Sequence, residues 1–517
     1  MAAHHPNFLI FIVDQMRADH MGRAGNRVIQ TPNLDKLAVS GVHFQRAYVN
    51  CPLCMPSRST LWTGLSPRGH RVRTNGIPLD PSIPTLPGAL AEAGYRTASF
   101  GKIHLTNYTR RPDFPLEKMP PERFPELSDH WSSGAVESPP SPYYGFHTTE
   151  VTLGHGSRVG GDYALWLGRE HPEQWERLMT TPLKPSTLGA QGCATFPLDS
   201  RFHHTAYTAD RTIRFLSEQD GDHSFLAVCS FPDPHHPYHV PEPYDRMYKP
   251  EDVVPPVLRE GELEDLAPFF KEIYERRLLL SGRMDPTQMS MEHRREILAY
   301  TYGMVSQIDH HLGRVLGALE SKGLADNTVV VFISDHGDMM GDHGLLNKGP
   351  FHFEGLLRVP MIWRWPSRFK PRSCAGLASL LDFAPTVMDL AGVPAPEGLA
   401  SSEAPKQPPA WPGRSLAPIL RGDAESVQDS VLIENDEDYL GLRLRTLVTE
   451  THKITTYTGH RGAEPYGELF DFTGDPNELH NLWTDSASSG LRRELIERLH
   501  HRLAETDIAL PRRLSHA

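Results

Sequence analysis

The sequence predicts an α/β fold: a large mixed, mostly parallel sheet sandwiched by helices, followed by a smaller C-terminal α+β domain. Short runs rich in β-branched and aromatic residues (Asn7 to Val13, Arg96 to Phe100, Ser224 to Ser230 and Thr328 to Ile333) each end in polar residues. Buried parallel strands read this way when they surface at a sheet edge. Helical patterns separate the runs, which is the alternation of a parallel sheet covered on its faces. Beyond about residue 425 the pattern changes to short strands closed by one amphipathic helix.

The elements follow in order. Thr85 to Ala93 reads as a helix, and Arg294 to Ser321 as a longer one with Ile297, Tyr300, Met304, Ile308, Leu312 and Leu316 at helical spacing. Thr106 to Ser200 is rich in Pro, Gly, Ser and His with weak periodicity. It is expected to wrap the sheet as long loops with one short helix near Asp162 to Glu170, and to shape the pocket. A second break, Pro394 to Pro412, is dominated by Pro, Ala, Ser and Glu and reads as a surface excursion. Val431 to Glu434, Leu442 to Thr449 and a helix from Leu491 to Ala504 build the last unit. Domains are therefore expected at 1–425, catalytic, and 426–517.

Composition excludes several function classes. Apolar residues at 39% and charged residues at 22% match a globular protein rather than a disordered or fibrous one. A net charge of −12 argues against a nucleic-acid-binding face, which needs clustered Lys and Arg. No apolar stretch approaches a membrane span, and the run Phe8 to Val13 is too short for a signal-peptide core. Five cysteines in 517 residues do not make a disulfide framework, so a cytoplasmic location is the expectation.

In open α/β sheets, ligands bind where side chains converge beyond the carboxyl ends of the strands. Four of the expected strands deliver reactive residues there: Asp14 and Gln15; Lys102 and His104; Asp233, His235 and His236; Asp335 and His336. Asp14, Gln15, Asp335 and His336 form a plausible cage for one divalent ion. Singly, each has a bland reading as a turn or helix cap. Cys54 alone reads as a buried inert thiol, and with Cys51 as half of a redox or zinc pair. No second pair completes a zinc site, and the Pro-Ser-Arg after Cys54 suggests that this cysteine does not open a helix in the thioredoxin manner.

Cys54-Met55-Pro56-Ser57-Arg58 with Thr63-Gly64 resembles the C-x-P-S-R…T-G motif of type I sulfatases, within the alkaline phosphatase superfamily. Gly94-Tyr95-Arg96-Thr97 through Gly101-Lys102-Ile103-His104 resembles that family's second motif. Ser334-Asp335-His336-Gly337, Gly341-Asp342-His343-Gly344 and Lys348 are similar to its later metal and substrate motif. Glu468-Leu469-Phe470-Asp471, Asp475-Pro476 and Asn481-Leu482 are similar to its C-terminal pattern, so the resemblance spans nearly the whole chain.

The resemblance implies that Cys54 is oxidised by a formylglycine-generating enzyme to an aldehyde, whose hydrate is the nucleophile. Asp14, Gln15, Asp335, His336 and modified Cys54 would hold one divalent metal, Ca²⁺ first and Mn²⁺ as the alternative. Asp335 would accept the nucleophile's proton, Arg58 would hold the cage, and Lys102 and Lys348 would balance charge on the transferring group. His235 would protonate the leaving oxygen, and His104 would take the proton that releases sulfate. Asn75 would help bind the oxyanion. His236 and His239 are expected outside the reacting centre, and Cys51 is expected to pack.

The chain departs from the commonest sulfatase pattern in having Gln15 where a second Asp is usual. That Asp-Gln start and the Asp-His pair resemble choline sulfatases and phosphonate monoester hydrolases too. The implied activity is hydrolysis of an aryl or small alkyl sulfate ester; phosphonate monoester or phosphodiester hydrolysis is the alternative. In those hydrolases the Lys and His of the second motif are typically replaced, whereas Lys102 and His104 are present here. A third reading leaves Cys54 unmodified in an anion-binding scaffold. Relatives of this length often form homo-oligomers.

Overall fold

The computed structural model describes residues 5–274, 289–395, 411–438, 441–459 and 466–506. Its strands are, in chain order, β1 (Asn7–Val13), β2 (Val42–Tyr48), β3 (Arg96–Gly101), β4 (Thr148–His155), β5 (Arg158–Gly161), β6 (Lys184–Pro185), β7 (Cys193–Thr195) and β8 (Phe225–Phe231). There follow β9 (Tyr238–Val240), β10 (Thr328–Ser334), β11 (Arg358–Arg364), β12 (Arg372–Ser379), β13 (Ser430–Glu437), β14 (Leu442–Thr449), β15 (His452–Thr458) and β16 (Tyr466–Asp471). A nine-stranded sheet runs β12-β2-β11-β10-β1-β8-β3-β4-β5, and a four-stranded one β13-β14-β15-β16. Pairing across the centre, from β10 through β1, β8 and β3 to β4, is parallel, while β11 and β5 run antiparallel to their neighbours.

The central strand shows why the sequence folds so. Alternation sends Phe8, Ile10 and Ile12 into one core and Leu9, Phe11 and Val13 into the other. In the second core they meet Ile297, Met304, Ile308 and Leu312 of the helix Met291–Ser321. Each such fully buried side chain contributes roughly 1.5–3 kcal/mol, so β1 is fixed from both faces. No described helix is long and apolar enough to cross a membrane.

One expectation is corrected in the segment 106–200, which was to wrap the sheet as loops with a single helix. The helix Asp162–Glu170 is present, but β4 and β5 also extend the main sheet, and a helix Pro172–Thr180 follows. Val159, Tyr163, Leu167, Leu178, Phe196 and Leu198 give this region a core of its own, and long-range packing outweighs its weak local periodicity. Of the surface excursion expected at Pro394 to Pro412, residues 396–410 lie outside the described residues.

The C-terminal sheet is an antiparallel meander. One face packs Leu432, Leu447, Ile454 and Leu469 under Leu495 and Leu499 of the helix Ser489–Glu505. The other face, through Leu442, Leu444, Tyr457 and Phe470, holds Leu345, Phe351 and Phe353 from the loop after β10.

Candidate active site

Strand register brings the reactive residues to one level. Val13 pairs with both Ser334 and Phe231, and Gly101 pairs with Ser230. Asp335 N–H donates to the Val13 carbonyl (3.2 Å), Asp14 N–H to Asp233 (3.1 Å), and Lys102 N–H to Ser230 (2.9 Å). Asp14, Lys102 and Asp335 therefore emerge at one level, from the adjacent strands β1 and β10 and from β3, which only β8 separates from β1.

Cys54 is the first residue of a helix, Cys54–Thr63, every residue of which is buried. This corrects the expectation that the cysteine does not open a helix. Pro56 is tolerated there because a first-turn N–H has no intrahelical partner to lose. The helix ends at Gly64, whose left-handed φ of 67° and contact with Trp411 leave no room for a side chain. The Asn75 side-chain oxygen accepts from Met55 N–H (3.0 Å), fixing the start of this helix rather than facing the cage.

Asp14, Cys54, Asp335 and His336 offer ligand atoms that all lie within 4.8 Å of one another, and all four are buried. The Cys54 Sγ is 3.1 Å from His336 Nε2 and 3.8 Å from Asp14 Oδ1. Gln15, at φ 69°, donates through its side-chain amide to Asp338 and contacts His236 Nδ1 at 3.2 Å, and its Oε1 accepts from Lys348 Nζ (3.1 Å). Two carboxylates, an imidazole and an amide oxygen suit a hard divalent cation.

Three cations surround these donors. Arg58, fully buried, donates through Nε to Asp335 (2.7 Å) and through one terminal nitrogen to the Lys102 carbonyl (2.7 Å) and Ser230 Oγ (3.0 Å). Lys102 pairs with Asp14 and lies 3.2 Å from His155 Nε2. Lys348 Nζ lies 2.9 Å from the Cys54 sulfur and 3.1 Å from both His235 Nε2 and His336 Nε2.

The electrostatics follow. Burial pushes the Asp14 carboxyl up, but Lys102, Arg58 and Lys348 together hold it well below the usual range. Burial and Asp14 push the Cys54 thiol up, yet Lys102, Lys348 and His336 bring it down to about 7. Burial leaves His104, His155 and His235 neutral, with Lys102 adding to the effect on the first two and His155 and Lys348 on the third.

The structure adds residues that the sequence reading missed. His155, at the end of β4, stacks on His235 with centroids 3.7 Å apart, and its Nδ1 is 3.3 Å from the Pro232 carbonyl. The Thr- and Val-rich run before it was a strand signal, and the end-of-strand rule would then have found it. His236, expected behind the reacting groups or at the surface, lies behind them: it stacks on His235 (4.2 Å) and touches Gln15. Tyr108 lies against the His104 ring (4.6 Å). Glu126 is fully buried and accepts from the backbone N–H groups of His104 (2.6 Å), Leu105 (2.9 Å) and Thr106 (3.0 Å). A single Glu in a Pro-rich stretch carried no sequence signal. Asp233 turns away from the cage toward His203, His204 and Thr205, and burial pushes its carboxyl up to about 7. His239 bonds Ser157 outside the cage, and Cys51 is buried.

Comparison with known proteins agrees with this geometry. The sulfatase family profile matches residues 6–393, and the profile of the N-sulphoglucosamine sulphohydrolase C-terminal region matches 341–505. An arylsulfatase of Clostridium perfringens is 29% identical, covering 92% of this chain and 90% of its own length. A choline-sulfatase of Rhizobium meliloti is 27% identical over 93% of this chain and 83% of its own. The crystal structure of a phosphonate monoester hydrolase from Agrobacterium radiobacter superposes with a TM-score of 0.76 at 27% identity, covering 97% of this chain and 96% of that one. With a buried cysteine at the head of its motif helix and a profile match over three quarters of its length, the chain belongs to the sulfatase family of the alkaline phosphatase superfamily.

Proposed function

We propose that the chain hydrolyses an aryl or small alkyl sulfate ester, using a nucleophile made by oxidising Cys54 to formylglycine beside one divalent cation. The observation that carries this reading is the place of the Cys54 sulfur, between the buried donor cage and the Lys348 ammonium. Asp14, Gln15, Asp335 and His336 would hold the cation, with Ca²⁺ proposed ahead of Mn²⁺ because the oxygen donors predominate. Cation and formylglycine would supply a polarised ester and a nucleophilic oxygen.

The chain's own residues do the rest. Arg58 ties Asp335 and the Lys102 carbonyl into one rigid frame, so the acceptor for the nucleophile's proton cannot drift. Lys102 and Lys348 flank the reacting position and neutralise charge gathering on the sulfuryl oxygens. His235 donates to the His236 carbonyl through Nδ1 and turns Nε2 toward Lys348. A bound anion draws Lys348 to its oxygens and favours a proton on that Nε2, ready for the leaving oxygen. His104, whose Nδ1 has no hydrogen-bond partner among the described residues, is the base for product release. Cys54 is 2% exposed, so the maturation enzyme must act before the helix is packed.

The test is steady-state hydrolysis of aryl, choline and sugar sulfates, with the mass of the Cys54 peptide measured on the same sample. Sulfate release by matured protein, lost over multiple turnovers in Cys54→Ser, is expected. Matured protein that hydrolyses none of them sinks the reading. The similarity to the phosphonate monoester hydrolase structure favours a second reading, hydrolysis of a phosphonate monoester or phosphodiester by the same nucleophile. Aryl phosphonate esters turned over with higher kcat/KM than aryl sulfates would favour it.

A further inference from the structure

The C-terminal motif Glu468-Leu469-Phe470-Asp471…Asp475-Pro476…Asn481-Leu482 takes no part in the chemistry above, yet its sheet meets the loop that carries Lys348. From Gly337 to Phe353 this loop has one short 3-10 turn, Asp342–Gly344, and no strand. Met340, His343 and Asn347 hold left-handed φ values of 47°, 53° and 57° without being glycine. Such residues persist only where surroundings over-determine them. Backbone bonds within the loop, Met339 N–H to the Asn347 carbonyl (3.0 Å) and Gly341 N–H to the Leu345 carbonyl (2.8 Å), hold those three residues, and the stretch 349–354 that follows Lys348 needs a restraint of its own.

The C-terminal sheet supplies it. Asn435 of β13 donates to the Gly349 carbonyl (3.4 Å), and Thr446 of β14 bonds His352 Nδ1 (2.7 Å). Lys453 of β15, wholly buried, donates to the His352 carbonyl and pairs with Glu478, which follows Asp475-Pro476. The other Glu478 oxygen accepts from Glu354 N–H (2.7 Å). The Lys453 ammonium lies 5.5 Å from the Phe353 ring and 5.4 Å from Phe470, so rings from loop and sheet both face the same cation. Burial pushes the Glu478 carboxyl up, and Lys453 opposes the shift. This pair is costly to form in the interior and is spent on fixing one stretch of backbone.

We infer that Lys453, Glu478 and Thr446 are positioning residues for Lys348: the C-terminal sheet clamps residues 349–354 and so sets the place of the Lys348 ammonium over the Cys54 position. The inference rests on the role given to Lys348 under the proposed function. It assigns the C-terminal sheet a part in catalysis through a catalytic residue that the sheet does not itself contain.

The test is a double-mutant cycle on the full-length, matured enzyme. The joint variant Lys453→Met/Glu478→Gln removes the pair without stranding a buried charge, and Thr446→Val against Thr446→Ser is the milder probe. Expected results are a fall in kcat of about 10–100-fold for the joint variant, the range for an ångström-scale misplacement, with KM moving less. Thr446→Val should lower kcat by about 3-fold or more, the loss of roughly one hydrogen bond's restraint, with Thr446→Ser restoring it. In a Lys348→Ala background the same changes should cost less than about 2-fold more, because the group they position is gone. Losses that multiply in that background, or a joint variant with wild-type kcat, overturn the inference. If the joint variant does not fold, as judged by thermal melting, the Thr446 pair in both backgrounds decides it. Wild-type turnover is measured alongside, so a wrong substrate class shows as no wild-type activity rather than as an unexpected ratio among variants.

Discussion

Glu126→Gln isolates one buried carboxylate on which the geometry of His104 depends. One oxygen of Glu126 holds the N–H groups of Leu105 and Thr106, the Thr106 hydroxyl (3.4 Å) and the Tyr143 hydroxyl (2.8 Å); the other, among the described residues, holds His104 N–H alone. Glutamine keeps a single acceptor, which the four-donor side will take, and turns its NH₂ toward His104 N–H. That replaces a charge-assisted hydrogen bond, worth roughly 1.5–3 kcal/mol, with two facing donors, so a loss of about 2–4 kcal/mol in stability is expected. His104 sits at φ 57°, a conformation that relaxes once its N–H is released. An ångström of movement in its ring corresponds to about 100-fold in kcat. Tyr143→Phe is the control, since it removes one donor and leaves the His104 anchor intact; its kcat should stay within about 3-fold of wild type. The assay is aryl sulfate turnover together with thermal melting. Wild-type kcat and melting temperature in Glu126→Gln would refute the reasoning, because the carboxylate would then position nothing.

Three further outcomes are expected. Gly101→Ala, at φ 97° and with a Cβ that would overlap the Ser230 carbonyl, should cost more than about 2 kcal/mol and displace Lys102, read as lower melting temperature and lower kcat together. Protein stripped of divalent ions should melt at a lower temperature and recover on adding Ca²⁺ or Mn²⁺, since an ion held by Asp14, Asp335 and His336 binds the folded chain and not the unfolded one; a melting temperature unmoved by either ion would count against the cage. Burial pushes His70 down to about 3, so the unfolded chain takes up its proton near pH 6.5 and the folded chain does not. Its stabilising contribution is full above that pH and falls as the pH drops toward 3, by about 1.4 kcal/mol per unit. Denaturant melts of His70→Gln between pH 7 and 5 should show a shallower slope than wild type.

Legibility in the sequence divides along a physical line. β1, β8 and β10 are buried on both faces, so their apolar runs announced them, and the polar residue after each marked the site. β2 and β12 went unread, because strands near a sheet edge carry mixed polarity, as in Val42–Tyr48 with its exposed Gln45, and β11 went unread although its centre is apolar and buried, because Pro360 within it reads against a strand. Asp14, Cys54, Arg58, Lys102, Asp335, His336 and Lys348 could be placed through motifs. His155 belongs to no motif and was legible only as the residue that ends the Thr- and Val-rich run of β4, whereas Glu126 was not legible, because it acts across 22 residues of sequence on His104, which only the fold brings near.

The stacked imidazoles bear on which leaving group the site suits. Asp14 and Asp335 face Arg58, Lys102 and Lys348, an excess of positive charge that attracts sulfate and phosphonate monoesters alike, since both are monoanions. Charge therefore does not separate the two substrate classes. His235 lies between His155 and His236 in a neutral stack, with burial, His155 and Lys348 all opposing its protonation. With its pKa held below the usual imidazole range, His235 seldom carries the proton at neutral pH, and that matters more the more basic the departing oxygen. An aryl oxide leaves with little help, whereas an alkoxide needs the proton in the transition state. If the proposed function holds, that stack predicts a larger kcat/KM for aryl than for alkyl esters, and a carboxylate placed beside His155 should raise the acid and narrow the difference.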